Sequence, residues 1–180
     1  MPGCGKSTVA RHLARQLGIG LVDLDAEIER RLGEAIRPYF EREGEAAFRD
    51  LEHRVLTDLL AEPGEMVLAT GGGAVLRQAN RELLRAQTTV LYLRSSPEDL
   101  FRRLRHDTKR PLLQVSNPLE KLRELYQQRD PLYREAAHFV IETGRPSVTS
   151  LVNMVLMQLE LAGLVDSRRV PSQVRPGSDA

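Results

Sequence analysis

The chain has 180 residues, 41% of them hydrophobic and 28% charged, which suits one domain with a sizeable core. Lys plus Arg number 26 against 25 Asp plus Glu, and the net charge of +1 lacks the basic excess that broad nucleic-acid binding requires. One cysteine excludes an internal disulfide framework, no apolar run approaches the roughly 20 residues of a membrane span, and no signal-peptide core opens the chain, so a cytoplasmic protein with no membrane or nucleic-acid partner is expected.

Helical stretches alternate with short β-rich runs and there is no internal repeat, which predicts an α/β domain with a parallel sheet and helices on its faces. Lys6 to Leu17 reads as a helix, with Val9, Leu13 and Leu17 on one face and Gly18 as its stop. Leu21 to Leu24 is a short strand, after which Asp25 sits at a helix N-cap with Ile28 and Leu32 inward. A helix begins near Pro38 and is interrupted at Gly44. Glu45 to Ala61 is strongly amphipathic, its inner face being Phe48, Leu51, Val55, Leu56, Leu59 and Leu60. Met66 to Ala69 reads as a buried strand ended by Gly71-Gly72-Gly73, Asn80 to Ala86 as a helix, and Thr88 to Leu93 as a second buried strand. Pro97 opens a helix running to about Arg105. His106 to Asn117 is polar and irregular around Lys109-Arg110-Pro111, and Pro118 to Arg129 is helical again. Phe139 to Glu142 is a last strand, and Ser147 caps a final helix. From Ser167 the composition turns to Ser, Arg, Pro and Gly, so the domain is expected over 1–166 and a disordered tail over 167–180.

Residues 3 to 8, Gly-Cys-Gly-Lys-Ser-Thr, open the first helix and match the second half of the Walker A pattern. Gly3 and Gly5 let phosphate oxygens approach the backbone, while the N–H groups of the Gly3 to Thr8 turn and the helix N-terminus favour an anion. Lys6 can place its charge on the β- and γ-phosphates, and the Ser7 hydroxyl is of the type that Mg²⁺ shares with phosphates. Cys4, Gly5 and Thr8 complete the candidate nucleotide loop; Cys4 reads first as a small residue tolerated there, and alternatively as a thiol activated beside the helix N-terminus, which ATP would protect from alkylation. The first Walker glycine would fall just before Met1, and no strand precedes the loop. Loss of a central strand would leave a groove in the core with unpaired backbone groups on both neighbours, so the working protein is expected to begin upstream.

Asp23-Leu24-Asp25 closes the first strand, where α/β sheets bind ligands, and alternation would put both carboxylates on one side. Such a pair can serve Mg²⁺ and an acceptor hydroxyl, or simply cap a helix and face solvent. Three successive glycines at 71–73 weaken the backbone for no local gain, which points to close approach of a ligand, with a plain turn as the alternative. Arg49 lies one helical turn from Glu45 and can form an ion pair there. Arg129 reads as the end of its helix, where a cation is ordinarily favourable.

Taken together, GCGKST, DLDAEIE, FRDLE, ATGGGAV, RPLL and RDPLYRE resemble shikimate kinase, in the family's order and at similar spacing from residue 1 to about 145. The resemblance implies a three-layer P-loop kinase with a central parallel sheet, whose first strand is missing from this chain, and a mobile lid over 106–117. It implies transfer of the γ-phosphate of ATP to the 3-hydroxyl of shikimate, with Mg²⁺, by a monomer. Carried over by motif, Lys6 contacts the phosphates, Ser7 binds Mg²⁺, and Asp23 is its outer carboxylate. Asp25 holds the acceptor hydroxyl and acts as base, Arg49 and Arg129 take the shikimate carboxylate, and Gly71, Gly72 and Gly73 line the acceptor, Gly72 through its backbone. Arg110 reaches the nucleotide phosphates and Arg145 touches adenine. Two other readings share the loop. One is a kinase for another hydroxy or sugar acid such as gluconate, which lacks the Asp, Arg, triple-Gly, Arg set. The other is a nucleotide-binding module without turnover, against which Lys6, Ser7, Asp25 and Arg110 speak.

Overall fold

Gly5 adopts φ 86°, a left-handed conformation open to glycine, and the chain turns there directly into helix α1, Lys6–Leu17. The helix buries Val9, Ala10, Leu13 and Ala14 as one stripe and ends at Gly18, also left-handed, whose N–H reaches back to the last turn. The structure is a computed structural model that describes residues 3–104, 115–144 and 146–166. The tail expected over 167–180, Arg110 with most of the proposed lid, and Arg145 lie outside the described residues.

Strand β1, Gly20–Asp23, leads into α2, Leu24–Leu32. The N-cap is Asp23, not Asp25: Oδ1 of Asp23 accepts from the N–H of Asp25 at 3.0 Å and of Ala26 at 3.3 Å. Asp25 therefore stands in the first turn of a helix, so strand alternation does not relate the two carboxylates. Helix α3, Ile36–Ala61, takes in both predicted segments and breaks at Gly44, where φ 83° and ψ 173° form a kink. Strand β2, Met66–Ala69, is followed by the glycine loop, a 3-10 turn at Ala74–Leu76, and α4, Gln78–Gln87. Strand β3 (Leu91–Arg94), α5 (Pro97–Leu104), α6 (Pro118–Ala136), β4 (Phe139–Glu142) and α7 (Val148–Leu161) complete the order. Ser147 caps α7 as expected, its hydroxyl accepting from the Ser150 N–H at 3.1 Å.

Helix α6 runs two turns beyond its expected end, straight through Pro131. Proline inside a helix costs about 3 kcal/mol, and here burial of Tyr133 and Ala136 opposes that cost. Arg129 accordingly stands in mid-helix and gains nothing from a helix C-terminus.

All strand pairing among the described residues is parallel, in two separate pairs. β1 lies beside β2, from Gly20 opposite Met66 to Asp23 opposite Ala69, and β3 lies beside β4, from Leu91 opposite Phe139 to Arg94 opposite Glu142. Between β2 and β3 lies a cavity of about 1060 Å³, bounded by both strands, by Val9, Ala10 and Leu13 of α1 and by Leu159 of α7. This is the groove anticipated from the sequence. It explains why β2 and β3 are less buried than their apolar runs predict: only Ala69 in β2 and Tyr92 in β3 are fully buried, because the strands' inner edges face open space. The core is correspondingly divided. One cluster joins α1, β4 and α7 through Val9, Leu13, Ile141 and Val155. A second joins α2, α3 and α4 through Leu24, Ile28, Phe48, Leu56 and Leu84. A third joins Cys4 to Tyr92, Leu100, Leu125 and Tyr133. No described helix is long and apolar enough to cross a membrane.

Candidate active site

The cavity reaches from the slot between the strand pairs to both loops singled out by sequence, with Gly3 to Thr8 on one wall and Gly71 to Gly73, Arg129 and Tyr133 on another. Gly3 and Gly5 both have positive φ, and a Cβ on Gly3 would lie 2.6 Å from Cδ1 of Leu104. The loop is thus shaped by conformation and by packing against α5. Lys6 and Ser7 occupy the first turn of α1, with its unpaired N–H groups. Cys4 also borders the cavity, but it is 4% exposed and packs in the core cluster of Tyr92 and Tyr133. Its burial in the core agrees with the reading of a small tolerated residue and speaks against a reactive thiol.

The acceptor side is organised around the glycine loop. A Cβ on Gly71 would stand 2.6 Å from Oδ1 of Asp25, and a Cβ on Gly73 would overlap Nη2 of Arg49. A Cβ on Gly72 would meet the Tyr133 hydroxyl at 3.4 Å and Nη1 of Arg129 at 3.8 Å. None of the three has positive φ, so at Gly71 and Gly73 space rather than backbone freedom calls for glycine, whereas a Cβ on Gly72 would make only ordinary contacts. Asp25, Arg49 and Arg129, from α2, α3 and α6, converge on three consecutive residues. Loop and arginines are tied further by the Gly72 carbonyl, which accepts from Nη1 of Arg129 at 3.5 Å and from the Tyr133 hydroxyl at 2.6 Å.

Burial pushes the Asp25 carboxyl above its ordinary value, and Asp23 adds to the rise while Lys6 and Arg49 oppose it. A carboxylate so placed is a stronger base than one in water. Lys6 and Arg49 act on it from the nucleotide and acceptor sides respectively. Arg49 makes the expected pair with Glu45 at 3.3 Å, but its shorter bond, 2.7 Å, goes to Glu52. Glu52 is 1% exposed, and burial pushes its carboxyl up while the Arg49 hydrogen bond pulls it down. Sequence reasoning passed over this residue. The signal was present, since Glu52 falls on the apolar stripe of α3 between Phe48 and Val55. Asn80, fully buried, was missed likewise; its Nδ2 donates to the Ala74 carbonyl at 2.9 Å and its Oδ1 meets His53 Nδ1 at 2.7 Å, fixing the turn after the glycine loop.

For Mg²⁺ the described residues offer no nest of three or more His, Cys, Asp or Glu side chains. They offer the Ser7 hydroxyl and Oδ2 of Asp23, the oxygen not used in the cap. That sparse set fits an ion that takes most of its ligands from phosphate and water.

The sequence model of shikimate kinase matches residues 2–160. The chain belongs to the shikimate kinase family. It is 59% identical over 166 residues to the shikimate kinase of Paracidovorax citrulli, covering 91% of each chain. It is 58% identical over 163 residues to that of Ralstonia nicotianae, covering 91% of this chain and 85% of the other. A solved shikimate kinase from Acinetobacter baumannii, in complex with shikimate, superposes with a TM-score of 0.80 at 47% identity, covering 91% of this chain and 90% of its own. Both loops singled out by sequence border this one cavity.

Proposed function

We propose that the cavity between the Gly3–Thr8 loop and the glycine loop is where this chain transfers the γ-phosphate of ATP to the 3-hydroxyl of shikimate. The observation that carries the reading is the convergence of Asp25, Arg49 and Arg129 on Gly71, Gly73 and Gly72. Two guanidiniums and one carboxylate around a loop without side chains suit a small acceptor bearing a carboxylate and hydroxyls. Lys6 neutralises charge on the transferring phosphoryl group, and Asp25 accepts the hydrogen bond of the attacking hydroxyl and takes its proton. Arg49, held by Glu52, and Arg129 fix the acceptor carboxylate, so the hydroxyl meets the phosphate in line. Mg²⁺, held by Ser7 with Asp23 outside it, would offset charge on the β- and γ-phosphates. Arg110 and Arg145 keep, as proposals, the nucleotide roles that the resemblance gives them.

Gluconate and other sugar acids also carry a carboxylate and hydroxyls, so recognition by the arginines is the discriminating step. Arg129→Lys replaces a planar, two-pronged donor with a point charge and should weaken shikimate recognition by about 2–5 kcal/mol in kcat/KM, with KM for ATP little changed. Steady-state kinetics with each substrate varied checks this. Wild-type values for shikimate in the variant would remove Arg129 from the acceptor site.

A further inference from the structure

Tyr133 belongs to none of the binding groups above, yet it joins three parts of the site. Its hydroxyl donates to the Gly72 carbonyl at 2.6 Å, shorter than the Arg129 bond to the same oxygen at 3.5 Å. Its ring stacks on Tyr92 at 4.9 Å between centroids and 27° between planes, and both rings pack in the cluster that holds Cys4 of the nucleotide loop. Tyr92 is fixed in turn, its hydroxyl donating to Asp130 at 2.8 Å, which also accepts from Arg94 at 3.2 Å and Arg134 at 2.8 Å. Tyr133 is 8% exposed, and burial raises its phenol further above neutrality, so the group at Gly72 is an O–H donor throughout the working pH range.

The peptide geometry gives that bond a consequence. The Gly72 carbonyl and the Gly73 N–H belong to one planar trans peptide and point in opposite directions. Drawing the carbonyl toward α6 therefore turns the Gly73 N–H away from α6. Backbone bonds hold the flanking carbonyls, that of Gly71 accepting from the Ala74 N–H at 3.2 Å and that of Gly73 from the Leu76 N–H at 3.0 Å, and the two glycines of the peptide between them bring no side chain to hold its plane. We infer that Tyr133 is a positioning residue for acceptor binding, setting the plane of the Gly72–Gly73 peptide and its alignment with Arg129 one turn earlier on the same helix. The inference rests on the acceptor site proposed above.

Tyr133→Phe removes the hydroxyl and keeps the ring stack. Losing the buried partner of Gly72 should raise KM for shikimate about tenfold, with KM for ATP within about twofold of wild type. Tyr92→Phe is the matched reference: it removes a hydroxyl and a buried hydrogen bond from the same stack without touching Gly72. It should lower Tm comparably and leave KM for shikimate within about twofold. An unchanged shikimate KM in Tyr133→Phe, or equal rises in both variants, would overturn the inference, since either outcome makes Tyr133 core packing alone. A wild-type protein without shikimate-dependent turnover sinks the proposed function, and the inference with it. If Tyr133→Phe does not fold, shikimate is titrated into isotope-labelled wild-type protein. The Gly73 amide and the Tyr133 ring resonances should then move together, and a Tyr133 signal that stays in place would count against the role.

Discussion

At the scale of single residues, the site works against the stability of the fold. The Asp25 carboxyl is raised by burial and by Asp23, so the folded protein holds that proton more tightly than the unfolded chain does. Stability is therefore lost as pH rises from the unfolded value, near 4, through the folded one, and it stays lost at neutral pH. Asp25→Asn should accordingly raise Tm at pH 7, lose that advantage below about pH 4, and abolish turnover. Thermal melts at the two pH values, beside a turnover assay, check this; a variant that melts lower than wild type at pH 7 would contradict the cause assigned here. Residue identities singled out the candidate groups Lys6, Asp25, Arg49 and Arg129, because each sits in a motif with a chemical reason for its residue type. Glu52 and Tyr133 were not found that way. Glu52 acts through Arg49 and Tyr133 touches the backbone of Gly72, and such contacts between distant segments leave no fixed spacing in a sequence.

At the scale of elements, local pattern placed α1, β2 and α7 well, since each has a clear stop or cap: Gly18, the glycine loop and Ser147. It failed where tertiary packing overrides propensity. Pro131 should end α6, but the helix continues because its last two turns bury Tyr133 and Ala136, and this continuation puts Arg129 and Tyr133 on one face toward Gly72. The N-cap of α2 was assigned two residues late because either aspartate can cap; the helix starts at the first that can reach two N–H groups. Helix α3 carries the opposite lesson at Gly44, where φ 83° and ψ 173° lie in a region open to glycine alone. The kink separates the Ile36–Glu43 segment from the one bearing Arg49 and Glu52. Gly44→Ala should cost about 1–3 kcal/mol of unfolding free energy, measured by urea denaturation. No loss would mean that the two segments join as one helix without strain.

At the scale of the whole molecule, the two strand pairs and the slot between them set how rigidly the loops are held. The Gly3–Thr8 loop and the glycine loop border the same space, and among the described residues β2, which delivers the glycine loop, is paired on one side only. An apolar strand-forming segment of about five or six residues, fused ahead of Met1, adjoins a loop that already borders this slot and can pair with both inner edges. It should raise Tm and sharpen unfolding, because it joins three core clusters that now pack around a gap. The central claim is that this cavity uses ATP to phosphorylate shikimate. Its most direct test is coupled ADP release from Mg-ATP, with and without shikimate, by this chain and by the strand-extended form. Release should be saturable, require shikimate and be greater in the extended form. Release that is absent, or unchanged by shikimate, in both forms would contradict that claim.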